Sequence, residues 1–293
     1  MTERIATPLR TRAIMERYGF NFKKGFGQNF LIDSNILENI ADAAEVTDED
    51  TILEIGPGFG ALTQVLAERA KKVIALEIDT KLIPILNETL DGYSNIEIIN
   101  KDVLKCDIEK LAEEKNNGKP FKVVANLPYY ITTPIVMDLL EKNNIIKSMT
   151  IMIQKEVADR MQAEPGNSDY GALSVAVQYY SDVSVDMIVQ PSCFMPKPKV
   201  ASAVITLKLR DKPPVDVCDK KLYFKLVKCA FGQRRKTLLN TLCNQGGFDI
   251  SKEEMTKIIN SAGLDEKIRG EAMSLEDFAR LTECVYNAIK SGE

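Results

Sequence analysis

From residue 51 onward the chain alternates short apolar, β-branched runs with stretches of helical periodicity, and this alternation limits the available folds more than any other feature. The apolar runs fall at 51–55, 72–77, 96–100, 121–125 and 149–153. Helical stretches between them reach about Arg69, Leu90 and Asn116, and another opens at Thr133. A helix of this length carries the chain back across the sheet, so the next strand runs parallel to the last and both sheet faces become covered. The expected class is α/β with a mainly parallel sheet. Two later β-branched runs, 183–189 and 200–209, are joined by a Pro-rich turn at 190–199 and fit an antiparallel pair closing the sheet edge. After Lys212-Pro213-Pro214 only helical patterns remain. The expected domains are therefore 1–211 and a small all-α domain at 212–293.

Ahead of the alternation, Thr7 and Pro8 read as the cap and first residue of a basic helix ending near Tyr18. Residues 25–31 are too glycine-rich for a helix and read as a loop. Asp33 or Ser34 then caps a helix with Ile36, Leu37, Ile40, Ala43 and Ala44 on one stripe.

Histidine is absent from all 293 residues, which removes Ser-His-Asp and Cys-His hydrolase sites and His-ligated metals together. The six cysteines, at 106, 193, 218, 229, 243 and 284, form no C-x-x-C pair. They read as reduced thiols of a cytoplasmic protein without a metal site. No apolar run approaches the roughly 18 residues of a membrane span, and the first 20 residues lack the apolar core of a signal peptide, so neither membrane nor export is expected. Net charge is −4, yet its distribution is uneven. Residues 194–240 carry twelve Lys/Arg against three Asp, and residues 1–27 carry six basic against two acidic. A cationic face on an acidic body suits a phosphate-rich partner.

Gly56, Gly58 and Gly60 stand where the first strand turns into a helix, so a ligand can approach backbone amides at the helix N-terminus. Glu77 ends the second strand, where a carboxylate can grip both hydroxyls of a ribose. Asp102, just past the third, is placed to accept a hydrogen bond from an adenine. The spacing Gly56-x-Gly58-x-x-Ala61 also satisfies the dinucleotide fingerprint, so a nicotinamide reader remains open. The fourth strand runs into Asn126-Leu127-Pro128-Tyr129. An amine conjugated into a purine is a poor nucleophile because its lone pair is delocalised. The Asn126 side-chain oxygen and the Leu127 carbonyl can accept its two hydrogens and favour a pyramidal nitrogen, while Tyr129 stacks on the base. Together with the glycine turn, this suggests methylation of a base amine from adenosylmethionine. Once methylated, such a nitrogen is a strong acid whose proton leaves to water, so positioning outweighs a general base.

These residues resemble the ribosomal RNA adenine N(6)-dimethyltransferases, in particular the KsgA type acting on small-subunit RNA. The resemblance spans most of the chain: residues 27–31, 54–60, Glu77, Asp102, 126–129, 170–174, 194–200 and 231–238. It implies a Rossmann-like class I methyltransferase domain with S-adenosyl-L-methionine as cofactor. By the resemblance, Asn29 and Leu31 close over the methionine end of the donor, Gly56 and Gly58 contact it, Glu77 clamps the ribose and Asp102 reads the adenine. Asn126 is the amine acceptor, and Tyr129 and Phe194 wall the target-base slot. Arg234, Arg235 and Lys236, taken to open a helix after Gly232, face RNA phosphates or pack against the catalytic domain. The implied substrate is a pair of adjacent adenosines in the 3′-terminal hairpin of 16S ribosomal RNA, within an immature 30S subunit, and the chain is expected to be monomeric. The rivals are the sister family acting on 23S RNA, a non-catalytic assembly or transcription factor on the same fold, and a small-molecule methyltransferase or NAD enzyme.

Overall fold

The computed structural model describes residues 4–19, 29–142 and 145–292. Most of the expected 25–31 loop lies outside them. The elements run α1 (Pro8–Arg17), β1 (Phe30–Leu31), α2 (Ser34–Ala43), β2 (Thr51–Ile55), α3 (Ala61–Ala67), β3 (Lys72–Glu77), α4 (Ile83–Thr89) and β4 (Ile96–Asn100). They continue with α5 (Ile108–Asn116), β5 (Phe121–Asn126), α6 (Thr132–Lys142), β6 (Ile146–Gln154), α7 (Lys155–Gln162) and α8 (Ala172–Tyr180). The last are β7 (Ser181–Val189), β8 (Phe194–Met195), β9 (Ser202–Leu209), α9 (Lys220–Gly232), α10 (Leu238–Gln245), α11 (Lys252–Ser261) and α12 (Leu275–Gly292). No helix among the described residues is long and apolar enough to cross a membrane.

The chain divides into two compact units. One comprises Met1–Ala158 and Asp182–Leu209, the other Asp159–Ser181 and Arg210–Glu293. The last crossing lies close to the 211/212 boundary read from the sequence, but the excursion at Asp159–Ser181 has no counterpart in that reading.

The first unit is built on a seven-stranded sheet of order β4-β3-β2-β5-β6-β9-β7. Pairings β2–β3, β3–β4, β2–β5 and β5–β6 are parallel, and β9 joins β6 antiparallel. The α/β class and mainly parallel sheet expected from the alternation are therefore present. All five residues of β2 are buried, as a central strand covered on both faces requires. Burying side chains such as Ile52, Leu53 and Ile74 contributes about 1.5–3 kcal/mol each. The order reverses between β2 and β5, and open α/β sheets bind ligands beyond the strand C-termini at such a reversal.

Helix α1 begins as its sequence demands, with Thr7 accepting from the Arg10 amide and Pro8 in the first turn. Ile5 is buried and its amide donates to Gln64 Oε1 at 3.0 Å. Arg4 pairs with Glu38 and Glu68, and Arg17 with Glu88, so part of the basic excess at the N-terminus is neutralised inside this unit. Asp33 caps α2.

The second unit packs its helices around Tyr170, Tyr179, Tyr223, Leu226, Leu242, Ile259 and Phe278. Helix α8 is secured by Gln178, whose amide donates to the Met161 and Ala163 carbonyls at 3.0 and 2.9 Å. Tyr170 Oη donates to the Met273 carbonyl at 2.9 Å.

Candidate active site

The ends of β2, β3 and β5 open onto a single cleft of about 1220 Å³, its open mouth included. It gathers Asn29, Leu31, Gly56, Gly58, Glu77, Asp102, Asn126, Leu127 and Tyr129 from five stretches of the first unit. Parallel strands deliver their C-termini to one edge, which is why residues as distant in sequence as Gly56 and Asn126 converge here.

The glycine turn has backbone reasons for its composition. Gly56, Gly58 and Gly60 all have positive φ, and a Cβ on Gly58 would meet the Phe30 ring at 2.9 Å. A Cβ on Gly56 would meet nothing within 4 Å, so this glycine leaves open space on the cleft side. Phe30 stacks on Phe59 with ring centroids 3.9 Å apart, closing the turn from the β1 side.

Two glutamates at neighbouring strand ends have unusual proton affinity. Glu77 is almost fully buried, and its pKa is pushed up to about 7, chiefly by burial, although backbone amides of Asp79, Gly58 and Ile78 oppose the rise. The Asp79 amide donates to Glu77 Oε1 at 2.8 Å. Glu54 is more deeply enclosed, and burial raises it to about 8, opposed in part by the nearby Thr63 hydroxyl and helped by the Glu77 charge. Glu54 Oε2 has no hydrogen-bond partner among the described residues. A buried acceptor left unsatisfied costs about 1–3 kcal/mol, so its position in the cleft wall favours a polar ligand. Asp102 caps the 3₁₀ turn Val103–Lys105 by accepting from the Leu104 amide through one oxygen.

Asn126 ends β5, and its Nδ2 donates to the Asn29 carbonyl at 3.2 Å. A carbonyl can only accept, so that bond assigns the nitrogen to Asn29 and turns Oδ1 the other way. Leu127 is held beside it by its backbone amide, which donates to the Met152 carbonyl at 3.1 Å. Tyr129 Oη is hydrogen-bonded to Ser202 Oγ at 2.7 Å, which fixes the ring on β9.

The structure does not bring Phe194 to this cleft. Its side chain is 1% exposed, on β8, opposite Leu31 of β1 in the core. A second tyrosine reaches the cleft beside Tyr129: Tyr130, 56% exposed. Its phenol is raised by burial and by the charges of Asp102 and Glu77. The sequence does not reveal Tyr130, because two adjacent tyrosines in a turn give no sign that both face one cleft. Arg234, Arg235 and Lys236 do not start a helix: they form the turn between α9 and α10 in the second unit. Arg234 is spent inside that unit, donating to the Ser168 and Tyr170 carbonyls.

Nothing in this geometry alone separates a methyl donor from a dinucleotide. The family comparison does, because a family model described as ribosomal RNA adenine dimethylase matches residues 19–285. The chain belongs to this family. It is similar to a ribosomal RNA small subunit methyltransferase A of Alkaliphilus oremlandii, 55% identical, the match covering 95% of this chain and 97% of that one. Among solved structures it is similar to a dimethyladenosine transferase from Plasmodium falciparum, with TM-score 0.74 and 27% identity over 90% of this chain and 98% of that one. It is also similar to the 23S rRNA methyltransferase ErmE, with TM-score 0.66 and 28% identity over 88% and 99%. As a family member the chain is a methyltransferase, and its methyl donor is S-adenosyl-L-methionine. The cleft fits that donor: open space at Gly56, an unsatisfied carboxyl oxygen on Glu54, and Glu77 and Asp102 at successive strand ends.

Proposed function

We propose that this chain dimethylates the exocyclic N6 amine of two adjacent adenosines in the 3′-terminal hairpin of small-subunit ribosomal RNA, acting in the cytoplasm on an immature subunit. The observation that carries the reading is the orientation of Asn126, whose amide nitrogen is occupied by Asn29 and whose oxygen is left as an acceptor in the cleft shared with the glycine turn. The high identity to a small-subunit enzyme, against 28% to a large-subunit one, supports the small-subunit target.

S-adenosyl-L-methionine, when bound, supplies a methyl group made electrophilic by its sulfonium. Glu77 would hold the ribose hydroxyls and Asp102 the adenine, with Asn29, Leu31, Gly56 and Gly58 around the methionine end. The Asn126 oxygen and the Leu127 carbonyl accept the two hydrogens of the target amine, draw its lone pair out of conjugation and aim the nitrogen. Tyr129, pinned by Ser202, offers a stacking face worth about 1–3 kcal/mol to an extruded base. A hairpin-loop adenosine reaches this slot at low cost because it is already unpaired. Asn126 is neutral and can serve again after the first transfer, when one hydrogen remains. The released proton goes to water.

The test is incubation with labelled donor and unmethylated small subunits, followed by mapping of the modified nucleotides. Label on adenine N6 in the 3′-terminal hairpin is expected. Label confined to large-subunit RNA, or none with donor bound, would refute the reading, the second result favouring a non-catalytic assembly role.

A further inference from the structure

From Lys220 to Lys228, every exposed position of α9 is a lysine: Lys220, Lys221, Lys225 and Lys228. The intervening Leu222, Tyr223, Leu226 and Val227 are buried in the core of the second unit. Lys221, Lys225 and Lys228 stand at i, i+4 and i+7, which places them in one row along the helix. The row points past exposed Gly232 toward the turn that holds Arg235 and Lys236.

Local helix electrostatics do not account for this row. Like charges at i, i+4 destabilise a helix, and cations in the first turn oppose its dipole. Lys220 and Lys221 occupy that first turn, which contains no acidic residue. Nor is the charge cancelled by neighbours. None of the four has a carboxylate partner among the described residues, and Lys220 and Lys225 lie instead over the rings of Tyr180 and Phe248, at 4.6 and 4.2 Å. Other solvent-facing helices of this protein mix their charges. Helix α5 exposes Glu109, Lys110, Glu113 and Glu114, and α11 exposes Lys252, Glu253, Glu254 and Lys257. A single-sign row without carboxylate partners calls for anions from outside the chain.

We propose that the lysine face of α9 tracks the phosphate backbone of the ribosomal RNA substrate, continuing through Arg235 and Lys236. Steps of four and three residues along a helix span about 6 and 4.5 Å, so the row offers closely spaced cations to a strand laid along it. Arg234 is outside the track because its guanidinium is turned inward onto two carbonyls. The inference deepens the reading of the chain as an RNA methyltransferase and rests on it.

The test uses the full chain carrying K221Q, K225Q and K228Q together, and a second variant with K221Q and K228Q that leaves Lys225 on Phe248. Glutamine preserves helix propensity and removes repulsion, so both should fold. Binding is measured to protein-free small-subunit RNA and to unmethylated small subunits across a salt series, with donor affinity measured by calorimetry as a control. Each phosphate contact contributes about 0.7–0.9 to the slope of log K against log salt. The triple variant is expected to lose about 2 from that slope and roughly ten- to a hundredfold in affinity for both probes, with donor affinity unchanged. The double variant should lose about two thirds as much slope. An unaltered slope in the folded triple variant would make the row ordinary solvated surface and overturn the inference. A loss on subunits but not on free RNA would overturn it too, by assigning the row to an acidic ribosomal protein. Failure of the unsubstituted chain to methylate any ribosomal RNA would instead strike the underlying function.

Discussion

Glu54 and Glu77 show how a strand end can change the chemistry of an ordinary side chain. Both are carboxyls raised by burial, to about 8 and about 7. Raised folded-state pKa values mean that the native state holds protons the unfolded chain has released. The resulting stability is complete below the usual carboxylate range and is lost as pH climbs through 7 and 8. Glu54→Gln keeps the shape without the ionisation, so its melting temperature should match the unsubstituted chain near pH 4 and exceed it near pH 9. Equal melting temperatures at both pH values would mean that Glu54 is not the buried acid described. Glu77 has a different use, since a ribose clamp needs an ionised acceptor. Donor affinity by calorimetry should rise from pH 6 to pH 8 and become weak and pH-independent in Glu77→Gln. A Glu77→Gln variant with unchanged affinity would remove Glu77 from the donor site.

Elements were legible in the sequence wherever periodicity and a turn residue agreed. The strands Lys72–Glu77 and Ile96–Asn100 lie where the apolar runs place them, and Thr7, Pro8 and Asp33 act as the caps they resemble. Helices α7 and α8 were not legible, for two physical reasons. Helix α7 follows β6 directly, Gln154 to Lys155, with no turn residue to mark the change. Helix α8 is buried on nearly every side, including β-branched Val175 and Val177, so it has no polar face to reveal a helical period. Within the site, the strand-end residues could be placed because a parallel sheet aligns its C-termini. Phe194 could not, because an aromatic beside a Pro-rich turn suits a core and a cleft equally. The glycine turn gives an element-scale test. Gly58→Ala must hold a left-handed backbone at φ +62° and displace the Phe30 ring from Phe59, which should cost about 1 kcal/mol or more in urea denaturation and weaken donor binding. Full stability in that variant would show that the turn relaxes freely.

For the whole molecule, charge placement matters more than its sum. The chain is net acidic, yet residues 194–240 carry twelve basic against three acidic side chains, while Arg4 and Arg17 near the N-terminus are consumed by ion pairs. Arg234 follows the same logic as an internal brace. Arg234→Gln is expected to cost about 1 kcal/mol of stability and to leave the salt dependence of RNA binding unchanged. A shallower slope would return Arg234 to the RNA surface. The central claim, however, concerns one amide that joins donor cleft to target base. Its most direct test is the single-turnover rate of methyl transfer by Asn126→Ala on unmethylated small subunits, with donor affinity measured in parallel. Loss of one preorganised transition-state contact should lower that rate by about 10²-fold or more while the donor still binds. Transfer at the unsubstituted rate would contradict the account.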